Sequence, residues 1–250
     1  MKIFAPARFL DQSTQPHITT LIALASISAL AMNIFLPSLP SMAAYYNTTP
    51  SIMSLSVAIY LGASALLQLF SGPISDRIGR RPVILISLIL FIIASLATIW
   101  APNAETFLAL RFVQAFAATT MVLSRAVVRD TVGKEAAASK IAYVTMGMAV
   151  APMIGPGIGG YLDKYFGWQA IFVLLAGLGI CIFILTWFDL GETAPKNKTS
   201  FSKQVIEYKQ LLKSQRFWGY CLASALGSGS FFIYLGGGAL CGDRDIWSYS

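Results

Sequence analysis

Few residues in this chain are placed to make or break bonds. There is one histidine, His17, and the three cysteines Cys181, Cys221 and Cys241 have no paired spacing, so neither a metal site nor a disulfide framework is predicted. The first six apolar runs carry no Asp or Glu near their middles; Glu105 and Asp189 stand at run ends. No His, Asp or Ser constellation lies at that depth, which argues against an enzyme. What the residues offer instead is chemistry of charge, proton and hinge. Arg111 and Gln114 lie within an apolar run and share a helix face at i and i+3. A charged side chain inside a membrane span costs at least about 2.5 kcal/mol, so Arg111 either faces a cavity or a partner, or snorkels from one turn inside the run. Asn33, near the end of another run, cannot carry a proton; it is either a coupling position or a packing residue. The stretch Gly72-Pro73-Ile74-Ser75-Asp76-Arg77-Ile78-Gly79-Arg80-Arg81-Pro82 sets an aspartate among three arginines, between spaced glycines. A further run repeats Gly147, Ala151, Gly155 and Gly159 every four residues, with Pro152, Pro156 and Gly160 among them. That spacing lines one helix face with small residues on which another helix can pack closely.

These positions need elements to hold them, and composition says which. Of 250 residues, 56% are hydrophobic and 12% charged, against about 25% charged in soluble domains. Too few charges remain to cover a soluble surface, so disorder and ordinary soluble folds are excluded. An all-α polytopic membrane protein is predicted, with the lipid bilayer as its solvent. Spans of about 20 apolar residues run from Ile18 to Pro37, Ile52 to Gly72, Val83 to Ala101, Thr106 to Val128, Ala137 to Leu162 and Trp168 to Leu190. A seventh, Phe217 to Leu240, is rich in Gly and Ser. The runs are too long for barrel strands and lack period-2 alternation.

Net charge is +7. The cations fall in short loops between the runs, which indicates membrane orientation rather than nucleic-acid binding. Fifteen of the eighteen, from Lys2 and Arg8 through Arg77, Arg80, Arg81, Arg125, Arg129, Lys134 and Lys140 to the cluster Lys196–Arg216, lie on one side, and Lys164 alone lies opposite. This asymmetry predicts a cytoplasmic N-terminus. Residues 1–190 form a six-helix unit, 191–215 a cytoplasmic linker, 216–240 the seventh helix and 241–250 a polar tail. The linker is either a solvated loop or, from Phe201, an amphipathic helix with Val205, Tyr208, Leu211 and Leu212 on one face.

The Gly72–Pro82 stretch resembles the signature between helices 2 and 3 of the major facilitator superfamily. The resemblance implies the N-terminal six-helix bundle of that fold plus a seventh helix. It implies a gating latch in which Asp76 faces a helix N-terminus of the second half, Arg80 pairs with Asp130, and Gly72 and Gly79 permit close approach beside Arg77 and Arg81. The Gly155-Pro156-x-x-Gly159-Gly160 core is similar to the antiporter motif of drug/proton exchangers, with Ala151 where that family has glycine; by resemblance this face packs against the second half. Arg111-x-x-Gln114 resembles the helix-4 motif linked to proton transfer. Asn33-Ile34-Phe35-Leu36-Pro37-Ser38-Leu39-Pro40 resembles the helix-1 end of Bcr/CflA (bicyclomycin and chloramphenicol resistance) exporters, which commonly carry an aspartate where Asn33 stands.

The resemblance spans Pro16 to Leu240 and implies export of hydrophobic or amphipathic small molecules across a bacterial inner membrane. The energy source is a proton gradient, with no cofactor or metal. A complete member has two six-helix halves, so this chain is expected to be truncated. One codon choice for Ala239 to Ser250, read in a shifted frame, spells a helix-7 ending of the family, which predicts a frameshift near Gly238. The alternatives are a half that does not transport alone or, in a full-length protein, a metabolite exporter or facilitator.

Overall fold

In a bilayer every backbone N–H and C=O must be satisfied within the protein, so long apolar runs become helices. The computed structural model describes residues 8–194 and 211–241, and every regular element among them is helical. The helices are α1 (Ile18–Asn33), α2 (Leu39–Tyr45), α3 (Pro50–Ile78), α4 (Arg80–Ile99), α5 (Ala104–Gln114), α6 (Ala117–Thr131), α7 (Lys134–Phe166), α8 (Gln169–Asp189) and α9 (Gln215–Cys241). The chain divides into two units, 1–198 and 199–250. The second contributes α9, a helix of 27 residues. Most of the expected linker and the tail from residue 242 lie outside the described residues.

Among the described residues six segments are long and apolar enough to cross a membrane, and two of them are helix pairs. The first runs from Ile18 to Tyr45, beyond its expected end at Pro37. There Pro37 and Pro40 each sit at the start of a fresh turn, the 3₁₀ turn Leu36–Ser38 and then α2, positions where a missing N–H costs nothing. The fourth breaks at Ala115–Phe116 between α5 and α6. Pro73, Pro152 and Pro156 all lie inside continuous helices.

Local chemistry sets several starts. Thr49 Oγ1 accepts the Ile52 N–H ahead of Pro50, and Asn103 Oδ1 accepts the Thr106 N–H at 2.8 Å, both N-caps of a favoured type. The Gly72–Pro82 stretch, expected as a loop between the second and third spans, is almost entirely helical. It is helix on both sides, and the turn is the single residue Gly79 at φ 117°.

The first span is the hub of unit 1, packed against α6, α7 and α8. About 61% of its apolar window is buried, against 17% for the fifth span, so α7 presents most of its surface outward. Leu21, Leu24, Leu88, Leu123, Val127 and Val144 form a central part of the core.

Candidate functional site

Three groups of predicted residues come together in unit 1. Arg111 stands in the last turn of α5, fully buried, so it does not snorkel. Its Nη1 donates to the Ala31 carbonyl at 3.2 Å and to Gln114 Oε1 at 2.6 Å. Gln114 Nε2 in turn donates to Ser95 Oγ of α4 at 3.1 Å. The guanidinium carbon lies 4.2 Å from the centroid of Phe35 and 4.7 Å from that of Tyr60, within cation–π range. The Tyr60 hydroxyl reaches both the hydroxyl and the carbonyl of Ser28 at 3.1 Å. Arg111 and Gln114 together thus tie α1, α3, α4 and α5 inside the bundle.

The group is left partly unsatisfied. Arg111 Nε and Nη2 have no hydrogen-bond partner, and no ion pair to Arg111 forms among the described residues. Asn33 is buried, donates to the Ala29 carbonyl at 2.7 Å, and leaves its Oδ1 unpartnered. Buried donors and acceptors without partners are costly, and a small acceptor or a proton-bearing group is what such a site can engage.

The second group lies at the other end of the same helices. Arg80, the first residue of α4 and 8% exposed, donates from Nη2 to Asp76 Oδ1 at 2.6 Å, from Nε to Asp130 Oδ2 at 3.0 Å, and from Nη1 to Ser75 Oγ. It joins the ends of α3, α4 and α6. Asp76 therefore sits beside Arg80, four residues away on the previous helix. Arg81 donates from Nη2 to the Trp187 carbonyl at 3.0 Å and lies 5.1 Å from the Trp187 ring. Arg77 occupies the last turn of α3, where a cation suits the helix dipole. A Cβ on Gly72 would meet nothing within 4 Å, whereas one on Gly79 would overlap the carboxylate of Glu192.

The third group is the small-residue face of α7. The resemblance puts this face against a second half. Within unit 1, Gly147, Gly155 and Gly159 instead meet α1 and its end: a Cβ would overlap Ile22 at Gly147 and the Ile34 carbonyl at Gly159, and would lie 3.3 Å from Leu30 at Gly155. Gly160 faces Pro37, whose Cβ would be 3.6 Å away, and Pro156 continues the helix. Ala151 lines an apolar pocket of about 240 Å³ with Ile27, Leu30, Gly147, Leu178 and Ile182, into whose wall the unpartnered hydroxyl of Ser26 is also built.

Sequence reasoning missed the partners of these residues. Nothing in the sequence ties Phe35 or Tyr60 to Arg111, because an aromatic in an apolar run packs in the core or faces lipid by default, and Ser95 is one hydroxyl in an apolar run. Glu192 looked like one charge in a polar stretch; the signal that could have found it is Gly79, a helix start with no side chain to cap its own N–H groups.

A family model described as Major Facilitator Superfamily matches residues 21–241. The chain is 37% identical over 216 residues to a chloramphenicol resistance protein of Pseudomonas aeruginosa, covering 83% of this chain and 50% of that protein. It is 31% identical over 234 residues to a bicyclomycin resistance protein homolog of Haemophilus influenzae (92% and 59% covered). It is also 31% identical over 231 residues to a multidrug transporter MdfA of Yersinia pestis (91% and 56%). The chain spans about half the length of the curated relatives it matches. Among solved structures, the human organic anion transporter MFSD10 (TETRAN) superposes with a TM-score of 0.60 at 20% identity, over 74% of this chain and 51% of that one, a likeness of fold.

Proposed function

This chain belongs to the Major Facilitator Superfamily, and from that premise we propose that it serves export of hydrophobic or amphipathic small molecules by alternating access, driven by proton antiport. The observation that carries this reading is the similarity, over more than four fifths of the chain, to proteins named for chloramphenicol, bicyclomycin and multidrug resistance. The geometry is in keeping with it. Arg80 ties three helix ends by charge pairs that are partly exposed, contacts strong enough to hold one state and weak enough to release it. Arg111 keeps a buried cation at the centre of the bundle with donor capacity to spare.

In this reading the protein is a multi-pass protein of the bacterial inner membrane, its N-terminus and the Arg80 end cytoplasmic, since the cations gather at that end. No cofactor is needed. Asn33 cannot carry the proton, so proton linkage in this unit runs through the Arg111–Gln114 pair or lies in residues beyond it.

The test is chloramphenicol accumulation in efflux-deficient cells. The chain is expressed alone and together with the part of the Pseudomonas aeruginosa relative that it does not match. Lower accumulation in either arm, restored by a protonophore, is the expected result. Accumulation equal to the empty-vector control in both arms sinks the proposal. Efflux in the second arm alone assigns the chain the role of a partner-dependent half.

A further inference from the structure

We propose that Asp189 and Glu192, three residues apart where α8 ends, form a two-carboxylate clamp that positions both the Gly79 turn and the segment leading into α1. Its part in gating rests on the transport function proposed above; its geometry does not.

Asp189 is the last residue of α8 and is fully buried. Its Oδ2 accepts the His17 backbone N–H at 2.8 Å and the Thr20 hydroxyl at 2.7 Å, and its Oδ1 accepts the Leu10 N–H at 3.0 Å. His17 is the N-cap of α1, so its N–H is out of reach of that helix's own ladder. Leu10 sits at φ 63°, a left-handed conformation that a branched side chain adopts only when its surroundings enforce it. Around this anchor, Gln12 Nε2 donates to the Trp187 carbonyl at 2.6 Å. The Gln12 carbonyl lies so close to Gly191 that any Cβ there would overlap it. The segment before α1 is thus docked on the end of α8.

Glu192 serves the other side. Its Oε1 accepts the Arg80 N–H at 2.9 Å and the Ala194 N–H at 2.9 Å, and its Oε2 accepts the Arg81 N–H at 3.4 Å. Arg80 and Arg81 open α4, and their N–H groups have no intrahelical acceptor. Gly79 has no side chain to supply one, and a Cβ at that residue would occupy the carboxylate's place. A carboxylate at a helix start is also favoured by the dipole. With the Arg80 backbone pinned, its guanidinium meets Asp76 and Asp130 together. Both carboxylates act through the backbone they hold and are positioning residues.

Hydrogen exchange of the whole 250-residue chain in lipid nanodiscs, read amide by amide, tests the clamp. Glu192→Ala should speed exchange of the Arg80 and Arg81 amides about tenfold or more and leave Leu10 and His17 at their original rates. Asp189→Ala should do the reverse. Glu192→Gln keeps an acceptor oxygen in place and should retain most of the protection, whereas Glu192→Asp, one methylene shorter, should lose it. Unchanged exchange at Arg80 and Arg81 in Glu192→Ala overturns the clamp. So does a rise in both segments with either alanine variant, which would mean general loosening. Should the alanine variants not fold, equal protection in Glu192→Gln and Glu192→Asp overturns it as well. The readout needs no transport, so its failure is separable from failure of the efflux assay.

Discussion

At the scale of single residues, Arg111 and Gly79 carry the sharpest consequences. Arg111 binds α1 and α3 to its own α5 through two hydrogen bonds and two rings, and Gln114 extends the network to Ser95 of α4. Arg111→Ala would strand Gln114 and open a void, at a cost of about 1–3 kcal/mol for the unsatisfied amide alone. If the guanidinium is the coupling group, the variant, co-expressed as in the accumulation assay, loses protonophore-sensitive efflux while still inserting at normal levels. Retained efflux counts against that role. At Gly79 the backbone is left-handed and the Cβ position is taken by Glu192. Gly79→Ala is expected to destabilise unit 1 by about 1–3 kcal/mol, seen as a lower midpoint in detergent-solubilised thermal unfolding. An unchanged midpoint would mean the turn relaxes freely. Asp76 stood out in the sequence as an acid set among arginines, whereas the pairing of Arg80 with Asp130 came from the resemblance and not from spacing, since fifty residues separate the two. Tyr60, Phe35 and Ser95 did not stand out, because an aromatic or hydroxyl residue in an apolar run is ordinarily just packing.

Elements were easier to read than their neighbours. The position of each span follows from hydrophobic length, and all six fall where the apolar runs do. Their ends moved because proline at the first turn of a helix is benign, which carried the first span through Pro37 and Pro40, and because Gly72–Ile78 is as helical as the run before it. The four-residue small stripe of α7 was visible as a stripe, but spacing does not say which helix it meets. Within unit 1 that partner is α1. Gly159→Leu should therefore break the α1–α7 contact and abolish a monodisperse, thermally cooperative unit. Gly157→Leu, two residues along on an open face with nothing within 4 Å, should be tolerated. Equal behaviour of the two variants, in size-exclusion profile and unfolding midpoint, would refute this packing.

For the whole molecule, orientation is the statement that charge makes most strongly. With native cysteines replaced, a cysteine at Lys164 should react with a membrane-impermeant maleimide in intact cells. A cysteine at Arg129 should react only after permeabilisation; the opposite pattern inverts the bundle. Composition revealed the membrane class, and hydropathy revealed the spans. Cross-helix contacts remained hidden because they pair residues far apart in the chain. The single-residue turn at Gly79 carries one more consequence at this scale. Two long helices joined by one residue share no slack. Inserting or deleting an amino acid there would spin all of α4 by about 100°, carrying Ser95 away from Gln114 and Arg80 away from both aspartates at once. That junction is a place where an in-frame indel should be as damaging as a charge lost from the core.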